Sequence, residues 1–306
     1  MTTSDRDTID AKSPGHMTIG VVGQGRMGAG MTKRLRKGGH EVVAYDRNPD
    51  VSDVSSLQEM VERLPSPKVV WLMVPSGVIT QSTMEDVAAL LSAGDIVIDG
   101  GNSYVKDTVR RGKELATRGI SYVDVGTSGG IWGFENGFCL MVGGDRSVFD
   151  HVEPILKSLA PEDGYAYVGG AGAGHYSKMV HNGIEYGMLQ AYAEGFDLLQ
   201  AAEEYDFDLH QISSLWNHSS VVRSWLLELA ERAFEADPKL DDLKAYVDDS
   251  GEGRWTVLEA VERGVNVGVL AQALFARFTS REENPFSMRV IAALRNEFGG
   301  HAVKRP

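Results

Sequence analysis

The feature that most constrains the fold is a glycine-rich turn between two short apolar segments near the start of the chain. Residues 19–22 are apolar and lead into Gly23-Gln24-Gly25-Arg26-Met27-Gly28, which is followed by a helical pattern to about Lys37. A second apolar segment, residues 41–45, ends at Asp46. Glycines in the spacing G-x-G-x-x-G allow a tight turn, a close backbone approach to phosphate and close packing of helix on strand. The pattern therefore predicts a βαβ unit that binds the pyrophosphate of a dinucleotide at a helix N-terminus, in preference to a purely structural glycine turn.

Residues in this unit and at the ends of later strands are expected to contact the dinucleotide. They are Gly23, Gly25, Arg26, Met27, Gly28, Asp46, Arg47, Val74, Pro75 and Asn102. A carboxylate at Asp46 is placed to accept hydrogen bonds from both ribose hydroxyls and to repel the extra phosphate of NADP, which favours NAD. Arg47 favours NADP, because a guanidinium beside this position can bind a 2′-phosphate. We therefore expect NAD as the cofactor, with NADP as the less favoured alternative.

Strands and helices continue to alternate after this unit. Buried strands are predicted at residues 69–74, 96–99, 122–125 and 137–142, and a helix is predicted at residues 146–159. This alternation predicts an α/β doubly wound sheet of the Rossmann type, forming a dinucleotide-binding domain over residues 17–174. Residues 1–16 are polar with few apolar side chains, which is typical of a disordered N-terminal extension.

Helical periodicity alone describes the rest of the chain. A long helix that begins near His175 is expected to run to about Glu204. Shorter helices are predicted at residues 209–216, 221–234, 240–247, 256–263 and 268–280. The sequence therefore predicts a second, all-α domain over residues 175–306.

The start of the long helix carries an unusual polar face. Five side chains fall at i, i+3, i+4, i+7 and i+8, and therefore share that face: Lys178, His181, Asn182, Glu185 and Tyr186. The ordinary alternative is a solvated face that keeps the helix soluble. Against it, Gly183 and Gly187 each disfavour a helix by about 1 kcal/mol relative to Ala. We therefore interpret the face as a site and expect close packing at the glycines.

The residues from Gly172 to Gly187 read Gly-Ala-Gly-His-Tyr-Ser-Lys-Met-Val-His-Asn-Gly-Ile-Glu-Tyr-Gly. This stretch resembles the catalytic helix of the decarboxylating 6-phosphogluconate dehydrogenases, and it matches them further than it matches the wider β-hydroxyacid dehydrogenase superfamily. The resemblance implies oxidative decarboxylation of 6-phospho-D-gluconate to D-ribulose 5-phosphate and CO2, a reaction of the pentose phosphate pathway, without a metal. It implies that Lys178 takes the proton of the C3 hydroxyl and that Glu185 protonates C1 of the enediol.

The same resemblance implies contacts to the substrate. The residues that match are Asn102, Ser128, Gly129, Gly130, His181, Asn182, Tyr186, Arg277, Arg295 and His301. Arg277 matches a phosphate-binding arginine. In the long relatives, the tail that matches Arg295 and His301 reaches into the substrate site of the neighbouring subunit. The second domain is therefore expected to bind substrate and to form a homodimer or a dimer of dimers.

One loop departs from the family's pattern. The family usually has Lys-Gly-Thr-Gly-Lys-Trp-Thr where this chain has Ser250-Gly251-Glu252-Gly253-Arg254-Trp255-Thr256. Ser250 and Glu252 replace a Lys and a Thr that contact phosphate in the family. The contacts at these two positions are therefore not carried over.

Two other functions compete with decarboxylation. A β-hydroxyacid dehydrogenase acting on a small 3-hydroxy acid would keep Lys178 and Asn182 but would leave Glu185 and Arg277 without a role. A non-enzymatic NAD-sensing or scaffold protein would leave the whole set of acid, base and phosphate ligands unexplained. Measurement of CO2 release separates the first alternative from decarboxylation.

Composition limits the partners further. With 43 acidic against 30 basic residues, the net charge of −13 disfavours nucleic-acid binding. No apolar run approaches the roughly 20 residues needed to cross a membrane. The single cysteine, Cys139, excludes an intrachain disulfide and is expected in the core, and with no leader sequence at the start this favours the cytoplasm. No cluster of His, Cys and carboxylate residues is visible, so no metal is expected.

Overall fold

The computed structural model describes residues 15–299 and 302–304. The chain forms two compact units that divide between Met179 and Val180. The division falls inside a long helix, Ala173–Ala201. Residues 1–14 of the predicted N-terminal extension lie outside the described residues.

The first unit contains a single seven-stranded sheet. Its strands are β1 (Thr18–Val22), β2 (Glu41–Tyr45), β3 (Val69–Leu72), β4 (Ile96–Asp99), β5 (Ser121–Ser128), β6 (Cys139–Gly144) and β7 (Tyr165–Gly169). They lie in the order β2-β1-β3-β4-β5-β6-β7, and all neighbours are parallel except β5 and β6. This confirms the predicted α/β doubly wound sheet.

Helices connect the strands and cover the sheet. They are α1 (Arg26–Lys37), α2 (Leu57–Glu62), α3 (Val78–Leu90), α4 (Val105–Ala116), α5 (Gly133–Asn136), α6 (Arg146–Leu159) and the start of α7 (Ala173–Ala201). Side chains that alternate along the strands pack into two apolar clusters. One cluster contains Trp71 and Val123, and the other contains Val70 and Tyr122. A parallel sheet buried on both faces needs nearly continuous apolar strands, which is why these segments could be predicted from the sequence.

The last two strands of the sheet differ from the prediction. Strand β7 was not predicted, because its burial alternates between half-buried and exposed positions and leaves no apolar run. The prediction that Cys139 lies in the core is wrong: its side chain is exposed. Cys139 is the first residue of β6, and the neighbouring Leu140 points to the opposite face of the sheet and into the core.

The second unit is helical. Beyond α7 it contains α8 (Leu209–Asn217), α9 (Trp225–Ala236), α10 (Glu252–Arg263), α11 (Gly268–Thr279) and α12 (Phe286–Gly299). The helix predicted at residues 240–247 is wrong. Leu240 has φ +55°, which a helix cannot contain, and Leu243, Tyr246 and Val247 are exposed, so their helical spacing buries nothing. No helix in the described part of the chain is long and apolar enough to span a bilayer.

Candidate active site

The turn after β1 has the geometry that the glycine spacing requires. Gly23 has φ +95°, and a Cβ added there would lie 2.4 Å from the carbonyl oxygen of Met73. A Cβ on Gly28 would lie 2.0 Å from the carbonyl oxygen of Gly23. A Cβ on Gly25, the N-cap of α1, would by contrast meet nothing within 4 Å. The first turn of α1 contains no acidic residue, and no side chain caps it. The open, uncapped helix start fits a phosphate group.

Asp46 is fixed beside this turn. Its Oδ2 accepts a hydrogen bond of 2.6 Å from the amide of Gln24, and its Oδ1 accepts one of 2.9 Å from the amide of Asn48. The carboxylate is therefore held between the glycine turn and the end of β2, where the ribose is expected. Arg26 and Arg47 are exposed, and Met27 is half-buried in the first turn of α1.

The remaining residues predicted for this unit follow β3, β4 and β5. Val74 is half-buried and Pro75 and Asn102 are exposed, in loops at the carboxyl ends of β3 and β4. Ser128 ends β5 and is half-buried. The next two glycines have positive φ, +123° at Gly129 and +53° at Gly130. All of these loops lie at one edge of the sheet, because they follow parallel neighbouring strands.

A buried polar network, not identified in the sequence analysis, supports the loop that contains Asn102. The Asp99 carboxylate is fully buried and accepts hydrogen bonds from the Ser103 hydroxyl at 2.8 Å and the Tyr122 hydroxyl at 3.0 Å. Arg111, 1% exposed, lies 3.6 Å from the same carboxylate and donates to the carbonyl of Gly77 at 3.1 Å. Burial, with the neighbouring Asp99, raises the pKa of Tyr122 well above its ordinary value. The network thus connects the loops after β3 and β4.

The start of α7 is fixed to β5. The fully buried Asp124 carboxylate accepts hydrogen bonds from the amides of Gly172 at 2.7 Å and His175 at 2.9 Å. A Cβ on Gly126 would lie 2.5 Å from the Cβ of Lys178, so the helix packs directly against the strand. Lys178 is 7% exposed. A buried lysine is uncommon in proteins unless its amine is paired.

The next residues of the polar face belong to the second unit. Asn182 is 9% exposed, and its Oδ1 lies 3.0 Å from Nδ1 of His181. The same Nδ1 lies 3.9 Å from Oε2 of Glu185, whose side chain is 40% exposed. A Cβ on Gly183 would lie 2.6 Å from Cγ2 of Thr256 on α10. The expected close packing is therefore present at Gly183.

Tyr186 and Arg277 form a stacked pair in the second unit. Tyr186 is 6% exposed, and the guanidinium carbon of Arg277 lies 3.5 Å from the centre of its ring. The Tyr186 hydroxyl accepts a hydrogen bond of 3.1 Å from the amide of Ser250. Nη1 of Arg277 donates to the carbonyl of Asp248 at 3.1 Å.

The predicted tail residues are only partly described. Arg295 is exposed on α12, and His301 lies outside the described residues. In the described part of the chain, no group of three or more His, Cys, Asp and Glu residues is placed to hold a metal ion.

A doubly wound sheet with a dinucleotide turn, followed by a helix with a buried lysine and an all-helical unit, defines an oxidoreductase with an NAD(P)-binding domain. Residues 18–169 match the NAD binding domain of 6-phosphogluconate dehydrogenase, and residues 174–290 match its C-terminal domain. The chain belongs to the 6-phosphogluconate dehydrogenase family.

Individual relatives agree with this assignment. The chain is 44% identical to YqeC of Bacillus subtilis over 298 residues, covering 94% of this chain and 100% of that protein. It is 43% identical over 300 residues to the NAD(+)-dependent, decarboxylating 6-phosphogluconate dehydrogenase of Haloferax volcanii, covering 94% and 99%.

Solved structures share the fold. The 6-phosphogluconate dehydrogenase of Plasmodium falciparum, solved with NADP+ and with 6-phosphogluconate, has a TM-score of 0.78 at 26% identity. The match covers 94% of this chain and 66% of that one. A 3-hydroxyisobutyrate dehydrogenase of Mycobacterium tuberculosis has a TM-score of 0.68 at 23% identity, covering 92% and 99%, and shares the fold alone.

Proposed function

We propose that this chain catalyses the oxidative decarboxylation of 6-phospho-D-gluconate to D-ribulose 5-phosphate and CO2, with reduction of NAD. The observation that carries the proposal is the single continuous helix α7, which bears the buried Lys178 and, two turns later, Glu185. A plain alcohol oxidation needs one base, whereas decarboxylation also needs an acid that protonates the carbon left by CO2. The names of the Haloferax and Plasmodium relatives support the substrate.

The proposed mechanism assigns one proton step to each side chain. NAD, which the glycine turn after β1 would hold, would supply the acceptor for the hydride that leaves C3. Lys178, in its neutral form, takes the proton from the C3 hydroxyl, which gives a 3-keto acid. The carboxylate then leaves as CO2, because the C3 ketone accepts its electron pair as Lys178 returns the proton to the keto oxygen. Glu185, in its protonated form, finally protonates C1 of the enediol.

The preference for NAD rests on Asp46. Its carboxylate is fixed by two backbone amides at the end of β2, so it does not move away to admit a 2′-phosphate without losing both hydrogen bonds. The Haloferax relative is named as NAD(+)-dependent, whereas the Plasmodium structure contains NADP+. Asp46 is therefore the feature of this chain that favours NAD.

The test is a spectrophotometric assay of dinucleotide reduction with 6-phosphogluconate and each of NAD and NADP, with CO2 measured in the same reaction. We expect one CO2 for each reduced dinucleotide. Reduction of the dinucleotide without CO2 would show a β-hydroxyacid dehydrogenase instead. No reduction with 6-phosphogluconate, when 3-hydroxy acids are oxidised, would overturn the proposed substrate.

A further inference from the structure

Consecutive residues at the start of the loop that departs from the family's pattern, and just before it, are anchored to neighbouring parts of the second unit. This segment, residues 247–250, is named the anchored loop. The amide of Val247 donates to the Ser280 hydroxyl at 3.0 Å, and its carbonyl accepts from Nε of Arg281 at 3.0 Å. The next residues are anchored by the carbonyl of Asp248, the carboxylate of Asp249 and the amide of Ser250. Such a density of bonds is unusual for a connecting segment, because loops are ordinarily mobile.

Asp249 is the centre of these anchors. Its carboxylate is 4% exposed and accepts two hydrogen bonds from Arg254, of 2.8 and 3.0 Å, and one of 3.0 Å from Nη2 of Arg281. The hydrogen bonds from Arg254, together with that from Arg281, lower the pKa of Asp249 to about 2. Both guanidinium groups also lie over the ring of Phe278, at 4.5 and 5.8 Å from its centre. The anchored loop is thus connected to α10 and to the end of α11 by one carboxylate, two guanidinium groups and one aromatic ring.

The two residues on either side of Asp249 hold the stacked pair. The carbonyl of Asp248 accepts a hydrogen bond from Nη1 of Arg277, and the amide of Ser250 donates to the Tyr186 hydroxyl. The Ser250 hydroxyl lies 3.4 Å from the same Tyr186 oxygen. Among the described residues, no hydrogen bond engages Nε or Nη2 of Arg277. These two nitrogens of Arg277 therefore retain the donor capacity that an anionic group requires.

We propose that Asp249 is a positioning residue for the phosphoryl group of the substrate. It fixes the anchored loop, and the loop fixes the orientation of Arg277 and Tyr186, which contact the phosphoryl group. This inference rests on the proposed function, because it takes 6-phosphogluconate as the substrate. It also gives Ser250 a role, since the serine that stands in place of the family's lysine holds Tyr186 in position.

The test compares Asp249→Asn with the wild-type chain in steady-state kinetics. The asparagine side chain keeps the shape of the aspartate but loses its charge, so Arg254 and Arg281 are bound less tightly. We expect the KM for 6-phosphogluconate to rise about tenfold, equivalent to about 1.4 kcal/mol, with kcat and the KM for NAD changed less than about twofold. A purely structural defect would instead lower kcat and the amount of active enzyme without this split.

Two further measurements make the test specific. Gluconate lacks the phosphoryl group, so its kcat/KM should be the same in Asp249→Asn and in wild type. Asp241→Asn makes the same charge change at an exposed position outside the anchored loop and should leave the KM for 6-phosphogluconate unchanged. Should Asp249→Asn fail to fold, Arg281→Lys keeps the charge, removes the fixed guanidinium geometry and should raise the same KM by a smaller factor.

The outcomes separate the two proposals. Suppose that the wild type turns over 6-phosphogluconate and that Asp249→Asn has the same KM for it. This result would overturn the positioning role and leave the proposed function intact. If Asp249→Asn does not fold, an unchanged KM in Arg281→Lys has the same meaning. An equal fall in kcat/KM for gluconate in the variant would also overturn the positioning role. Absence of both turnover and calorimetric binding of 6-phosphogluconate in the wild type overturns the proposed function and the inference together.

Discussion

Lys178 and Glu185 differ sharply in their surroundings, although they lie on the same helix. Lys178 is 7% exposed against β5, whereas the side chain of Glu185 is 40% exposed. We predict that Lys178→Ala loses both oxidation and decarboxylation. Glu185→Ala should lose about 10²-fold or more in ribulose 5-phosphate formation while it still permits slow reduction of NAD, because the acid acts only after the hydride has left. The measurement is the ratio of NADH to ribulose 5-phosphate in each variant. Full activity of Glu185→Ala would remove Glu185 from the mechanism.

Asp46 and Arg47 favour different cofactors from adjacent positions. Only Asp46 is fixed by hydrogen bonds from the backbone, whereas Arg47 is exposed. We predict that kcat/KM for NAD exceeds that for NADP by at least tenfold, about 1.4 kcal/mol. Asp46→Asn should narrow this ratio, since the amide no longer repels a 2′-phosphate, and Arg47→Ala serves as the matched control. A preference for NADP that Arg47→Ala removes would identify Arg47 as the residue that selects the cofactor.

At the scale of the helix, two glycines of α7 provide a matched pair. A Cβ on Gly183 would lie 2.6 Å from Thr256, whereas a Cβ on Gly195 would meet nothing within 4 Å. Gly183→Ala should therefore reduce the free energy of unfolding by about 1–3 kcal/mol through overpacking. Gly195→Ala should increase it by up to about 1 kcal/mol through helix propensity. Urea denaturation measures both. A higher free energy of unfolding in Gly183→Ala would show that Thr256 makes room for the added methyl group without a loss of stability.

The connection of the anchored loop to α10 and α11 also makes a prediction about acid stability. The pKa of Asp249 is about 2 in the folded chain against an ordinary value of 3.8, so the folded state favours the carboxylate. The resulting stability, about 2 kcal/mol, is present above pH 4 and is lost as the pH falls towards 2. The difference in unfolding free energy between wild type and Asp249→Asn should therefore shrink over this range in urea titrations. A difference in unfolding free energy that does not change with pH would contradict the role of Arg254 and Arg281 as the charged partners of Asp249.

The elements that could be predicted are those specified by neighbouring residues. The unit β1-α1-β2 was predicted because Gly23 and Gly28 of its turn each meet a local steric demand and Gly25 leaves the helix start open. The buried strands were predicted from their apolar runs. Residues 240–247 were wrongly predicted as a helix, because their spacing is helical while Leu240 adopts a positive φ. Asp99, Arg111, Asp124 and Asp249 were missed since each has at least one partner far away in the sequence, 23 residues for the bond between Asp99 and Tyr122 and 32 residues for that between Asp249 and Arg281. The roles predicted for the site residues remain predictions.

At the scale of the whole molecule, the second unit exposes an apolar surface on its last described helix. The exposed side chains on α12 include Phe286, Met288, Ile291 and Leu294, and Arg295 follows them on the same helix. Exposed apolar side chains of this kind can be covered by a partner. Together with the resemblance of the tail to that of the long relatives, they lead us to propose that the chain forms a homodimer, with each tail completing the substrate site of its partner.

Co-refolding of two inactive variants tests this sharing. Lys178→Ala and Arg295→Ala should each be nearly inactive alone, because one lacks the base and the other lacks a guanidinium that binds the phosphoryl group. In a mixed dimer with shared tails, one site contains both defects and the other contains neither. Since a two-fold interface makes two reciprocal sites, random pairing should restore roughly a quarter of all sites. Native mass spectrometry confirms that mixed dimers form, and each variant refolded alone is the control. Mixed dimers that stay as inactive as their parents would show that the tail acts within its own subunit.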